Sequence, residues 1–269
     1  MSGHSKWDTI KHKKAANDQK KGKVFSKYAQ LMTVAAREGG ADMGMNHNLR
    51  LLVEKAKADS MPIANIERAI DRGIGKGAEG PVIFDNVSYE GFGPEGVSLI
   101  VDVLTENRNR AVAEVRNIFN EGGGSLGQEG SVSWNFEVKG MITVRAGKIV
   151  KAEKYGAPDV VKEFPKEDVL NELLNIEGII DIEEIRLDAG DGFEVFTRVE
   201  NMSKVRDSIF ALGYIVISAE IVKVAKMFKQ FTPEQLEKIL AFIDKIDDYP
   251  DVHNVWSDID PESLKALPG

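Results

Sequence analysis

The chain has 269 residues, 42% of them hydrophobic and 29% charged, a size and composition that suit two or three folded domains and exclude wholesale disorder or a collagen-like repeat. It contains no cysteine, which excludes a disulfide scaffold, a zinc–thiolate site and a thiol nucleophile. The net charge of −8 is unevenly placed: residues 1–76 carry 15 Lys+Arg against 8 Asp+Glu, and the remainder carries 20 against 35.

Taken in chain order, residues 1–19 have no clear period and read as an extended or partly helical arm. Residues 1–27 hold eight Lys against two Asp. Lys6, Lys11, Lys13, Lys14, Lys20, Lys21, Lys23 and Lys27 are suited to phosphate contacts, and Trp7 and His12 to stacking on bases. A solvated, solubilising segment is the alternative reading of the same charges. No apolar run comes after these lysines, so no secretory leader is expected, and the absence of Arg argues against a mitochondrial transit peptide. The longest apolar stretch, Val97–Leu104, contains Asp102 and is far short of the roughly 18 residues a membrane helix needs.

Three helices come next, over residues 20–38, His47–Asp59 and Pro62–Arg72, each with apolar residues at helical spacing. Gly39-Gly40 stops the first and Pro62 suits the first turn of the third. They make a small bundle. Read as a helix-turn-helix, the last two would offer Asn65, Arg68 and Arg72 to a groove, but also Glu67 and Asp71, which phosphates repel. The Gly-rich run from Gly73 to Pro81 reads as a linker, and the charge changes sign there.

Beyond it the pattern is α+β. Strands are expected at Val82–Glu90 and Val97–Leu104, a helix at 109–121, and strands at Ser131–Phe136 and Gly140–Arg145. Gly147–Pro165 reads as a crossing loop or a sheet edge. Next come a helix at Lys166–Asn175, strands near Ile182–Leu187 and Phe193–Val199, a helix at Met202–Leu212 and a strand at Tyr214–Ala219. Thr232, Pro233 and Gln235 form a capping box that starts the last helix, and a strand at Val252–Trp256 closes the fold. The similar stretches Val115–Phe119 and Val205–Phe210, each in a helix before a Gly and a strand, suggest two small α/β units with antiparallel sheets.

Chemical motifs are sparse. Gly91-x-Gly93-x-x-Gly96 matches a dinucleotide-binding pattern, but a strand comes after it where a helix N-terminus is required, so it reads as a hairpin. His4, His12, His47 and His253 lack metal-ligand spacing. No catalytic arrangement, metal site, cofactor or small-molecule substrate is evident. Arg108 and Arg110, between a strand end and a helix start, suit an anion, or else are surface arginines beside an Asn cap.

Several of these stretches together resemble the YebC family. They are Gly3-His4-Ser5-Lys6-Trp7, Ile10-Lys11-His12-Lys13-Lys14-Ala15-Ala16, Thr33–Gly40, Asn65–Ile70, Tyr89-Glu90-Gly91-Phe92-Gly93-Pro94, Thr105–Arg110 and Gly130-Ser131-Val132. The resemblance implies a multidomain α and α+β fold: a three-helix bundle, then two small α+β domains with antiparallel sheets, one inserted in the other. The expected boundaries are 1–77, 78–146 plus 221–269, and 147–220. It also implies a cytoplasmic, non-enzymatic, nucleic-acid-binding regulator of gene expression. The family is usually labelled a DNA-binding transcriptional regulator. Its mitochondrial relatives act as translational activators, and bacterial members are linked to ribosomes stalled at proline runs, so ribosomal RNA is the alternative partner to duplex DNA.

Overall fold

The computed structural model describes residues 18–76, 82–150, 160–187 and 190–265. Helices α1 (Asp18–Gly39), α2 (His47–Ala58) and α3 (Ile63–Gly73) form the expected bundle. Their buried faces are Tyr28, Met32, Ala35 and Ala36 from α1, Leu49, Val53 and Ala56 from α2, and Ile66 and Ala69 from α3. Asn46 ties the first two together. Its Oδ1 accepts the Leu49 N–H at 3.0 Å, capping α2, while its Nδ2 donates to the carbonyls of Ala35 and Gly40, both at 2.8 Å. The Tyr28 hydroxyl donates to Asp59 at the far end of α2.

Close approach of α1 and α3 depends on Gly73. A Cβ placed there would lie 2.4 Å from the Thr33 carbonyl oxygen and 2.8 Å from the Ala36 Cβ. Thr33 also donates its hydroxyl to Ala69 O at 3.0 Å, so it cannot withdraw freely. Gly73→Ala should therefore destabilise the bundle by about 1–3 kcal/mol, the usual range for overpacking. Thermal denaturation followed by circular dichroism checks this. An unchanged midpoint would mean that the helices separate easily.

The rest of the described chain is α+β, with two antiparallel sheets. The first has the order β3-β1-β2-β9, from β1 (Asp85–Phe92), β2 (Ser98–Thr105), β3 (Ser125–Leu126) and β9 (Val252–Ser257). Its core face, with Leu99, Val101 and Val103 of β2, and Val97 just before that strand share one apolar core with α4 (Arg108–Glu121) and α7 (Pro233–Asp247). Phe119 of α4 meets Phe242 of α7 edge to face, with centroids 5.3 Å apart. The capping box of α7 is present as expected, with Thr232 and Gln235 bonded reciprocally.

The second sheet contains β4 (Phe136–Val150), β5 (Val160–Glu163), β6 (Ile179–Leu187), β7 (Gly190–Thr197) and β8 (Tyr214–Ala225). Its order is β5-β4-β7-β6, and β8 also pairs with β4. Helices α5 (Lys166–Leu174) and α6 (Met202–Ala211) contribute Val169, Leu173, Val205 and Ile209 to buried positions. A short helix, α8 (Pro261–Lys265), comes after β9. By contacts, the chain divides into Met1–Glu137 with Val224–Gly269, and the intervening Val138–Lys223. The second unit is thus inserted in the first along the chain.

Several expectations need correction. Ser131–Phe136 is not a strand: Ser133–Asn135 is a 3₁₀ turn, and the strand begins at Phe136. For Gly147–Pro165, expected to be a crossing loop or an edge, the edge alternative holds: it contains the end of β4 and an edge strand, β5. Strand β8 runs six residues past its expected end at Ala219, reaching Ala225, and α8 is additional to the expected elements. The hairpin reading of the glycine motif holds. Gly91 lies within β1 opposite Leu99, and the turn is a 3₁₀ step at Pro94–Gly96 with Gly96 at φ +75°.

Candidate nucleic-acid interface

Of the basic N-terminal segment, Lys6, Trp7, Lys11, His12, Lys13 and Lys14 lie outside the described residues. Lys20 and Lys21 are in the first turn of α1, and their side chains are also outside the described set. The remaining four nominated residues, Lys23, Lys27, Arg108 and Arg110, each have a carboxylate partner.

Lys23 and Lys27 are one helical turn apart, so their side chains share a face of α1. That face meets the C-terminal end of α7. The Lys27 ammonium donates to the backbone carbonyl of Asp247 at 2.8 Å and to its carboxylate at 2.9 Å. Lys23 lies 3.3 Å from the Asp248 carboxylate. The end of a helix carries partial negative charge on its last carbonyls, which reinforces both contacts. The Lys27 and Asp247 side chains are each only 14% exposed, so water screens this pair little. One turn further along α1, Gln30 Oε1 sits 2.9 Å from His253 Nε2 on β9. Burial, assisted by the Lys27 charge, lowers the His253 pKa to about 4 despite nearby Asp251, Asp247 and Asp102. His253 is therefore neutral at pH 7.

The segment Thr105–Arg110 is equally engaged. Thr105 donates its hydroxyl to the buried Asp251 carboxylate at 2.7 Å, and Arg110 reaches the same oxygen at 3.2 Å. Glu106 accepts from Arg72 of α3 at 3.0 Å. Asn107 caps α4, its Oδ1 accepting the Arg110 N–H at 3.1 Å. Arg108 pairs with Asp85 at 2.9 Å. The N-terminus of α4 thus has its own side-chain cap, and both arginines stand on acids of the same unit. Each still leaves more than half of its side chain exposed.

Asp251 is the hub of this network and also anchors Leu104 N–H through its carbonyl at 2.8 Å. Asp251→Ala would remove the carboxylate that Thr105, Arg110 and Tyr249 share, leaving the Thr105 hydroxyl to donate only through its longer 3.3 Å bond to Asn107 O. A loss of about 1–3 kcal/mol is expected, the range for removing a buried hydrogen-bond partner. Urea titration checks this: a midpoint shift with an unchanged slope confirms it, whereas an unmoved midpoint contradicts it.

The glutamate of the Tyr89–Pro94 stretch also has a structural partner. Glu90 accepts three backbone N–H groups from Gly130, Val132 and Ser133, at 3.0, 2.8 and 2.9 Å. Burial raises its pKa, but the three donors outweigh burial and hold the carboxyl below its ordinary value. Two of the stretches that carry the resemblance, Tyr89–Pro94 and Gly130–Val132, are thereby joined.

Among the described residues, no group of three or more His, Asp or Glu side chains is placed to hold a metal ion. No described helix is long and apolar enough to cross a membrane. One exposed feature departs from the sequence pattern: Trp134, in the 3₁₀ turn, is 60% exposed. A strand here would put it on the face opposite Ser133 and Asn135 and in line with Val132 and Phe136, which are buried.

Comparison with known proteins covers most of the chain. Residues 5–76 match the N-terminal domain of the TACO1/YebC protein, and residues 84–259 match the TACO1/YebC second and third domain. A relative from Dictyoglomus thermophilum, named "Probable transcriptional regulatory protein", is 40% identical over 269 residues, covering 99% of this chain and 100% of its own. One of the same name from Herpetosiphon aurantiacus is 38% identical, covering 97% and 95%. The crystal structure of a conserved hypothetical protein from Aquifex aeolicus is similar with a TM-score of 0.71 and 32% identity, covering 90% of this chain and 91% of that one. On its motifs, its fold and these matches, the chain belongs to the TACO1/YebC family.

Proposed function

We propose that this protein is a non-enzymatic, nucleic-acid-binding regulator of gene expression, acting in the cytoplasm on duplex DNA, in keeping with the names of its relatives. The observation that carries the reading is the charge distribution. Eight lysines and one Trp stand within the first 27 residues of a chain whose net charge is −8. An acidic body repels a polyanion over most of its surface and so favours contact at this segment.

In this reading Lys6, Lys11, Lys13, Lys14, Lys20 and Lys21 contact phosphates, and Trp7 and His12 pack on bases or sugars. Lys23, Arg108 and Arg110 add rim contacts through their exposed sides. Lys27, held by Asp247, acts by fixing α1 on α7 and so setting where the basic segment emerges. The α+β units position the segment or engage protein partners.

A second reading, binding to ribosomal RNA as a translation factor, is favoured by α3. It exposes Glu67 and Asp71 beside Arg68, a poor surface for a major groove. A Lys-rich segment with aromatics suits irregular RNA at least as well.

The test is the salt dependence of duplex binding by fluorescence anisotropy. About six phosphate contacts give a log–log slope of roughly −5. A slope near zero would remove the electrostatic basis of the proposal.

A further inference from the structure

Trp134 owes its exposure to a local break in strand periodicity. Val132 and Phe136 are buried, and the 3₁₀ turn over Ser133–Asn135 swings the intervening Trp outward. The indole is not left to wander, because its Nε1 donates to Ser131 O at 3.1 Å. The buried Asn135 next to it clamps a second segment. It donates to Met227 O and accepts from Met227 N, both at 2.9 Å, while its own carbonyl accepts the Lys226 N–H at 2.7 Å. The Lys226 ammonium in turn donates to Trp134 O at 2.9 Å. Met227 and Phe228 beside it are both substantially exposed.

The charges here are unusual for this chain. Residues 131–136 and 226–231 include Lys226 and Lys229 and no acid. Lys229 is engaged with Gly96 O, Ser98 Oγ and the Asp258 carboxylate. Among the described residues Lys226 has no carboxylate partner, unlike Lys23, Lys27, Arg108 and Arg110. A rigidly held, exposed indole beside an unneutralised cation is what stacking of an unpaired base with its phosphate requires. A purely apolar protein partner would gain nothing from the lysine. A duplex would offer no free base face.

We infer that Trp134 and Lys226, flanked by Met227 and Phe228, form a second nucleic-acid contact: a stacking platform for an unpaired base whose phosphate lies on Lys226. This rests on the nucleic-acid reading above and extends it from the basic segment to the α+β body. It also adds single strands, or unpaired loops, to the class of ligand.

The chain has three Trp, and Trp256 is buried. In full-length protein carrying Trp7→Phe, emission quenched from outside therefore reports Trp134. The probe is a 12-nucleotide oligouridylate, titrated with tryptophan emission and with anisotropy of an end-labelled strand in parallel. Quenching that tracks the binding curve is expected. Trp134→Ala and Lys226→Ala in the same background should each weaken strand binding roughly tenfold to a hundredfold and leave duplex-DNA binding unchanged. Binding without quenching, or equal affinity after Trp134→Ala, would overturn the platform and leave its surface to a protein partner, while the nucleic-acid function stood. Absence of binding to both strand and duplex in every version would overturn the function itself and the platform with it.

Discussion

Replacing Lys11, Lys13 and Lys14 together with Ala should weaken duplex-DNA binding by two to three orders of magnitude near 0.1 M salt. The size comes from counterion release. Each neutralised phosphate contributes about 0.9 to the log–log slope, and hence about one decade of affinity at that salt. Three lost contacts should also flatten the slope from roughly −5 to about −2 to −3. A loss of affinity with an unchanged slope would instead mean that the triple variant had damaged something other than phosphate contact. Far-ultraviolet circular dichroism and the unfolding midpoint serve as the control. Unchanged affinity would return the lysines to the role of a solubilising segment.

The largest effect on stability is expected at Glu90. Its side chain is 7% exposed, and its two oxygens take N–H groups from three residues of one loop. Glu90→Ala leaves those donors without partners and opens a cavity, so about 3–5 kcal/mol should be lost. That is a large share of the stability of an ordinary domain. Glu90→Gln keeps the size but turns an amide N–H₂ toward the donors, and it should cost less. The pH dependence separates the two effects. The folded carboxyl titrates below its ordinary value, so the charged form stabilises the fold above the unfolded pKa of about 4.3. This contribution is lost as pH falls through the lower, folded value. The parent should thus lose stability in acid more steeply than Glu90→Gln, measured as urea midpoints from pH 6 down to pH 3. Parallel curves would mean that the carboxylate is neutral, or idle, in the folded chain. Because the loop it holds leads directly into Ser133 and Trp134, Glu90→Ala should also release the exposed indole.

Much of the architecture is legible in local signals. Periodicity and breakers place α1, α2 and α3 within two residues of their ends, and Thr232, Pro233 and Gln235 mark the start of α7 because capping chemistry is local. The glycine motif resolves as a hairpin, since Gly96 leads into a run of β-formers. The failures have a common physical origin. A 3₁₀ turn inside a β-like run leaves no compositional trace, so Ser131–Phe136 reads as a strand. β8 continues past Ala219 because pairing to β4 sustains it, an interaction between distant segments.

The charges show the same divide. Counting residues locates the basic segment but not which cations are already matched. Lys27 and Asp247 are 220 positions apart, as the closing helix α7 returns to α1 across the whole inserted unit. Arg110 and Asp251 meet through the same closure, 141 positions apart. Arg108 and Arg110 look like an anion site on the chain because their acids come from elsewhere in the fold. Asn107, as a cap, is legible; Asp251, as the partner that organises Thr105 and Arg110, is not.

Whether the N-terminal lysines join this protein to a nucleic acid can be read from sedimentation. The full chain and a version with Lys6, Lys11, Lys13 and Lys14 changed to Ala would be run on sucrose gradients with ribosomes, with and without excess duplex DNA. The parent should be captured by the DNA in a salt-sensitive manner, and the substituted chain should not. Lysine-dependent migration with ribosomes that DNA cannot displace would place the same contact on ribosomal RNA. Identical migration of parent and substituted chains in every condition would mean that these lysines do not join the protein to a nucleic acid.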